Sequence, residues 1–401
     1  MGSTGQKAIG FIFITLLLDI IGWGLIIPVM PTLIAQLKHI PINEASREGS
    51  YLLAAYSIMQ FLCAPLIGNL SDRFGRRPVL LLSLFGFGID YIILALAPTY
   101  GWLFIGRVLA GFTGASFTTA SAYIADVSTP ENRAKNFGLI GAAFGLGFII
   151  GPALGGLISS WGVRAPFYVA AGLCLLNCLY GYFILPESLK VENRKPFHWK
   201  RANPAGSLKL LRKYKTVGQL SVAFFLIYFA AQAVQGNWSF YTMYRFDWTE
   251  KQVGISLAVV GAMIGLVQAV VIRYTEPKLG TKRSIYLGLM LYAVGLFLFA
   301  FANQGWMMYA FLIPYCLGGI CGPSLQSTIA GEVNPSDQGE LQGALTSLMS
   351  LTAVTGPLVM NNLFYHFSKP QAQFHFPGIP FFVAGLLMLA SIPVCAGALK
   401  K

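Results

Sequence analysis

The sequence predicts an all-α membrane protein of twelve transmembrane helices arranged as two six-helix repeats. Three observations carry that expectation. Of 401 residues, 55% are hydrophobic and only 11% charged, with a mean hydropathy of +0.63; ordinary soluble chains carry roughly 25% charged residues. Apolar runs long enough to cross about 30 Å of hydrocarbon recur from one end of the chain to the other. The chain also repeats itself at an offset of 205 residues.

The first span, 8–35, holds Asp19 near its middle in "FITLLLDIIGWGLIIPVMP". It is too long for a signal peptide and has no small-residue cleavage site, so it reads as a retained helix. The second (50–69) carries Gln60, the third (77–97) Asp90 and Tyr91, and the fourth (101–126) Arg107. The fifth (135–160) is glycine-rich, and the sixth (165–185) is followed by a polar, basic segment. The seventh (218–243) holds Gln232, Gln235, Asn237, Trp238 and Tyr241; then come 252–272, 283–302 with Tyr292, 305–330 with Gln326, 340–366 and 377–397. None of these runs alternates as barrel strands do.

The repeat aligns Gly75 with Gly280, Pro130 with Pro335, Gly138 with Gly343, and Gly151-Pro152 with Gly356-Pro357 without a gap. It implies an N-terminal bundle (1–185), a cytoplasmic basic linker (186–217) and a C-terminal bundle (218–401). Parallel repeats of this kind rock about a site near the bilayer midplane.

The net charge of +13 reads as topology. The N-terminus, the even-numbered loops and the C-terminus hold 21 of the 28 Lys and Arg, nine of them in the 186–217 segment. Both termini and that segment are therefore expected in the cytoplasm, facing anionic headgroups and not nucleic acid. The six cysteines lack metal-ligand spacing and read as small buried apolar residues. No phosphate loop, nucleotide fingerprint, HExxH or nucleophile elbow occurs, so neither an enzyme nor a resident metal or cofactor is expected.

A carboxylate at the centre of a membrane helix costs about 2.5–3.5 kcal/mol and needs a reason to be there. Asp19 and Asp90 each lie roughly 16–20 Å along their helices from the cytoplasmic end. Buried carboxylates suit proton uptake near neutral pH; the structural alternative is a permanently paired carboxylate locking the bundle. Gln60, Gln232, Gln235, Asn237 and Gln326, with Tyr91, Trp238 and Tyr241, suggest a polar and aromatic cavity at similar depth. Gln232 and Gln235, three apart, are expected on one helix face.

In "GNLSDRFGRRPVLL" (68–81), Gly68 allows close helix approach and Gly75 a tight turn, while Asp72 with Arg73, Arg76 and Arg77 can form a latch that holds one state. In "GFIIGPALGG" (147–156), Gly147, Gly151, Gly155 and Gly156 make a small-residue packing face and Pro152 a bend.

These stretches carry a family resemblance. The first matches the G-x-L-x-D-R-x-G-R-R signature of the major facilitator superfamily, and "GRVLAGFTGA" (106–115) resembles its R-x-x-x-G element through Arg107 and Gly111. "GFIIGPALGG" resembles its antiporter element, and "LLLDIIGWGLIIPVMP" and "FGFGIDYIILALA" are similar to helices of the tetracycline efflux transporters. The resemblance implies the major facilitator fold and alternating access in an inner (plasma) membrane. It further implies a functional monomer driven by the proton gradient, exporting a lipophilic small molecule. Asp19, Asp90 and Arg107 would couple protons, and Gln60 would meet substrate. The chain departs from those exporters in having Tyr292 in place of their ninth-helix carboxylate and Ile264 in place of a histidine. Export of another solute, import, or a non-transporting scaffold or receptor stand as rival readings.

Overall fold

Backbone in hydrocarbon must satisfy its hydrogen bonds internally. In the computed structural model, which describes residues 3–114, 116–129, 132–197, 210–334 and 337–399, the described residues form helices and no strand. Lys200, Arg201, Lys209, Pro130 and Pro335 lie outside them.

The first span is α1 (Ser3–Ile26) followed by α2 (Met30–Lys38), parted beside Pro28, which has no N–H to continue the ladder. Then come α3 (Ile42–Phe74), α4 (Arg76–Leu96), α5 (Tyr100–Thr113), α6 (Ser116–Val127), α7 (Arg133–Ile158) and α8 (Ala165–Ile184). The short α9 (Leu210–Lys213) leads into α10 (Lys215–Phe246). Next, α11 (Glu250–Leu266) passes through a π-helical turn (Val267–Val271) into α12 (Ile272–Phe301). The chain ends with α13 (Gly305–Leu317), α14 (Cys321–Gly331), α15 (Gln338–Phe367) and α16 (Ile379–Ala398).

Among the described residues ten helical stretches are long and apolar enough to cross a membrane. The expected twelve spans follow from two details. The 52-residue stretch Glu250–Phe301 holds two, parted at Gly280, whose φ of 73° is open to glycine. The fourth span is α5 plus α6, each too short alone. It breaks at Gly114, and the tenth breaks at the 3₁₀ turn Gly318–Ile320. Gly114 and Gly319 are 205 residues apart, so both repeats break at the same place.

The chain forms two units: Met1–His39, Ala55–Asn203 and Thr249–Ala258; and Ile40–Ala54, Pro204–Trp248 and Val259–Lys401. The first turns of α3 thus count with unit 2, and those of α11 with unit 1. In unit 1, α1 packs on α7 and α8, and α4 on α8 and α5; in unit 2, α10 packs on α15 and α16, and α12 on α16 and α13. The pairing is the same under the repeat offset. Large apolar side chains such as Leu82, Leu96, Leu176, Phe183 and Phe301 stand exposed along the helices, as a lipid-facing surface requires.

Candidate functional site

Unit 1 encloses a cavity of about 330 Å³. One face of α1 enters it: Leu16, Asp19, Ile20 and Trp23 recur at helical spacing. The other walls are Tyr56 and Gln60 from α3, Phe87 and Tyr91 from α4, Arg107 from α5, Gly114, Phe144 from α7 and Cys174 from α8. Five aromatic side chains therefore surround a few polar groups. The sequence placed Asp19, Gln60, Tyr91 and Arg107 here. It missed Trp23, Tyr56, Phe87 and Phe144, and it read Cys174 only as an apolar filler. Trp23, Tyr56 and Phe87, one turn from Asp19, Gln60 and Tyr91 respectively, carried the available signal.

Asp90 has no exposed surface, and its Oδ2 accepts a hydrogen bond from Arg107 Nη2. Gly106 makes room for it: a Cβ there would come within 2.7 Å of Asp90 Oδ1. The guanidinium thus borders the cavity while its carboxylate partner lies behind the wall. Asp19, half-buried, is the carboxylate on the wall itself.

Gln60 is tied into the scaffold. Its Nε2 donates to Tyr56 OH (3.1 Å) and to the carbonyl of Gly114 (3.2 Å), a backbone group freed where α5 ends. Gly111 permits this approach, since a Cβ there would meet Met59 at 2.6 Å.

The α3–α4 turn holds an ionic cluster. Gly75, at φ 108°, allows the turn. Arg76 Nη1 donates to Asp72 Oδ1 (2.6 Å) and Ser71 Oγ (3.0 Å), while its Nε donates to Asp126 Oδ2 (3.1 Å). Glu187 accepts from the backbone N–H groups of Arg76 (2.8 Å) and Arg77 (3.2 Å), a carboxylate at a helix N-terminus. The expected group is corrected in two respects. Among the described residues Asp72 pairs with Arg76, while Arg73 lies over the Phe74 ring and Arg77 donates to Tyr182 O. Asp126, at the end of α6, and Glu187, just past α8, complete the cluster. Among the described residues nothing comes close to Gly68, which has open space where a Cβ would stand.

The glycine face of α7 lies on α1. A Cβ at Gly147 would strike Ile20, at Gly151 the Ile21 carbonyl and at Gly155 the Leu25 carbonyl. Pro152 meets Gly24, and Gly156 faces the start of α11, where a Cβ would come within 3.0 Å of Lys251 Cα. Thr32 Oγ1 donates to Glu250 Oε1 nearby (2.5 Å).

The candidates in unit 2 are part of its own packing. Gln232 is buried beneath Gly356 while Gln235 is exposed, so the two do not share one environment. Asn237 is fully buried and accepts from Ser46 Oγ (3.4 Å). Trp238 meets Phe299 edge-on (5.2 Å), and the Tyr241 hydroxyl donates to Phe299 O (3.0 Å). Tyr292 packs edge-on against Tyr315 (5.2 Å), and Gln326 donates to Tyr228 OH (3.1 Å). Trp238 and Tyr241 are core side chains here, not a stacking surface.

A family model described as Major Facilitator Superfamily matches residues 12–357 and 220–397. The chain is 41% identical over 379 residues to the class C tetracycline resistance protein of Escherichia coli, covering 94% of each. It is 39% identical over 349 residues to the class G protein of Vibrio anguillarum, covering 86% of this chain and 88% of that one. Among solved structures, that of the nucleoside transporter NupG matches with a TM-score of 0.78 over the whole of both chains, at 13% identity. With the signature loop at Gly75, the glycine face of α7 and the repeated helix plan all in place, the chain belongs to the major facilitator superfamily, in the branch that holds the tetracycline resistance proteins.

Proposed function

We propose that the chain exports lipophilic or amphipathic small molecules from the cell in exchange for protons, by alternating access. Its relatives are resistance proteins, which supports drug efflux across the inner membrane. The observation that carries the reading is the unit 1 cavity: aromatic walls, the Asp19 carboxylate on its surface, and the buried Asp90–Arg107 pair against it. A flat amphipathic ligand can stack on such walls. Asp19 is the group placed to exchange a proton for a bound cation, with Asp90 and Arg107 as a second, coupled element. Both termini lie in the cytoplasm, by the distribution of Lys and Arg. The side-chain carbonyl oxygen of Gln60, which has no hydrogen-bond partner among the described residues, would receive a donor of the ligand. Arg76, held between Asp72 and Asp126, would latch one state.

The metal–tetracycline chelate is a poor fit. The unit 2 position where the exporters carry a carboxylate is Tyr292, packed on Tyr315, and Ile264 replaces their histidine. An ion pair in a low-dielectric cavity is worth several kcal/mol before desolvation, and this chain has lost that partner. Neutral or singly charged aromatic lipophiles fit better. Proteoliposomes with a proton gradient test the reading: adding a panel of lipophilic cations should release protons from the antiporter side. A chain that moves substrate at the same rate with the gradient collapsed is not a proton antiporter.

A further inference from the structure

We infer that Tyr56 is a specificity residue of the unit 1 cavity, on the reading of that cavity as the substrate site of export. With Gln60 it forms a donor–acceptor pair that selects ligands carrying a carboxamide.

The break at Gly114 fixes the pair. A backbone carbonyl can only accept, so the Gln60 atom 3.2 Å from Gly114 O is its nitrogen, Nε2. That nitrogen has two hydrogens. One goes to Gly114 O and the other to Tyr56 OH at 3.1 Å. The amide donor is thereby fully used, and the Tyr56 oxygen is cast as an acceptor. Its own hydrogen must point away from Gln60, and it meets no acceptor among the described residues. Gly114 also supplies the room. A Cβ there would come within 3.2 Å of Tyr56 OH and 3.4 Å of Gln60 Nε2.

Two unmet groups remain: the Tyr56 hydroxyl hydrogen and the Gln60 carbonyl oxygen. Their residues line the same cavity, one helical turn apart on α3. The two ends of a primary amide lie about 2.3 Å apart, so the Tyr56 and Gln60 oxygens are at most about 5.4 Å from each other. A ligand carboxamide offers the complement across that span. Its C=O accepts from Tyr56 while its N–H donates to Gln60. An ester keeps the acceptor and lacks the donor, so it leaves the Gln60 oxygen unpaired, and a site built around a hydrogen bond rejects the analogue that cannot make it.

The test uses the full chain purified in detergent, with no gradient, and measures binding of procainamide and procaine by calorimetry. These cations differ in having an amide N–H or an ester oxygen at one position. The ester is the less costly of the two to desolvate, so a cavity that sorts by lipophilicity alone binds procaine better. The wild type should instead bind procainamide about fivefold more tightly, the worth of one neutral hydrogen bond. Gln60→Leu should erase that preference by weakening procainamide alone. Tyr56→Phe should weaken both ligands about fivefold, since both present the carbonyl. It should also shrink the preference, since Gln60 loses a partner that orients it. Tetraphenylphosphonium, which has no hydrogen-bonding group, should bind the wild type and both variants alike, showing that the cavity is intact. Equal or reversed ranking by the wild type overturns the pair. So does binding of tetraphenylphosphonium alone, a preference that survives Gln60→Leu, or an affinity unchanged by Tyr56→Phe. Where Tyr56→Phe does not fold, Gln60→Leu carries the decision. With no gradient present these outcomes bear on the pair alone, while proton release in vesicles decides the export reading.

Discussion

From sequence alone Asp19→Asn and Asp90→Asn are equivalent, each removing one midplane carboxylate without changing volume. The structure separates them. Asp90 is fully buried on Arg107, whose side chain is 7% exposed. Neutralising either partner strands the other charge in a water-poor interior, which costs about 3–5 kcal/mol. Removing both charges costs far less, because a buried pair is held by compensation and contributes little net stability. Asp90→Asn and Arg107→Gln should therefore each destabilise the protein severely, while the double variant, whose two amides can bond each other, should be more stable than either. Thermal unfolding of the purified variants, followed by intrinsic fluorescence and by exposure of the buried Cys174 thiol to a reactive dye, reads the cycle. Asp19→Asn should stay within about 1 kcal/mol of wild type, since the amide keeps the side chain's volume on the cavity wall. Additive losses in the double variant would refute the paired-charge account.

Three further outcomes are expected. Asp19→Asn should fold and still bind lipophilic cations but lose the substrate-triggered pH change in vesicles; normal proton release by this variant removes Asp19 from the coupling scheme. Gly151→Ala and Gly155→Ala, whose new methyls meet α1 carbonyls, should destabilise by about 1–3 kcal/mol, whereas Gly145→Ala, with open space, should be neutral or stabilising by up to about 1 kcal/mol; equal melting points for all three contradict the backbone contact. Asp126→Asn should slow turnover as much as Asp72→Asn while leaving substrate affinity within about twofold, since both acids hold Arg76 and neither borders the cavity; a selective loss of affinity goes against a latch.

The spans and the repeat were legible because hydrocarbon thickness and backbone satisfaction leave the sequence few options. The turn at Gly75 was legible too, since its glycine and flanking charges mark it. Interruptions inside the spans were not. The breaks at Gly114 and Gly318–Ile320 and the π turn at Val267–Val271 fall within runs that read as continuous helix. At Gly114 a tertiary partner takes up the freed carbonyl, which accepts from Gln60. The aromatic wall escaped for another reason: Trp23, Phe87 and Phe144 have the composition of lipid-facing side chains, and only the fold shows which face turns inward. Asp126 and Glu187 were not legible as parts of the Arg76 cluster, because they lie 50 and 111 residues from Arg76 and only the fold brings them to the α3–α4 turn.

The repeat supplies its own control for what the charged groups do. Shifted by 205 residues, Asp19, Gln60, Asp90 and Arg107 become Phe224, Gly265, Gly295 and Leu312. Phe224 and Leu312 are buried, and Gly295 lies against the backbone of Tyr315. The Arg76 cluster shifts in the same way: Asp72, Arg76 and Asp126 become Pro277, Thr281 and Gly331, while the turn glycine survives as Gly280 with its positive φ. Unit 2 thus keeps the same helix pairing with uncharged residues where unit 1 has ions. The helix plan does not need the charges. Buried ion pairs are also weak sources of stability when weighed against apolar packing of similar size. On the proposed function, the ions of unit 1 serve what packing cannot do, which is to carry and release charge.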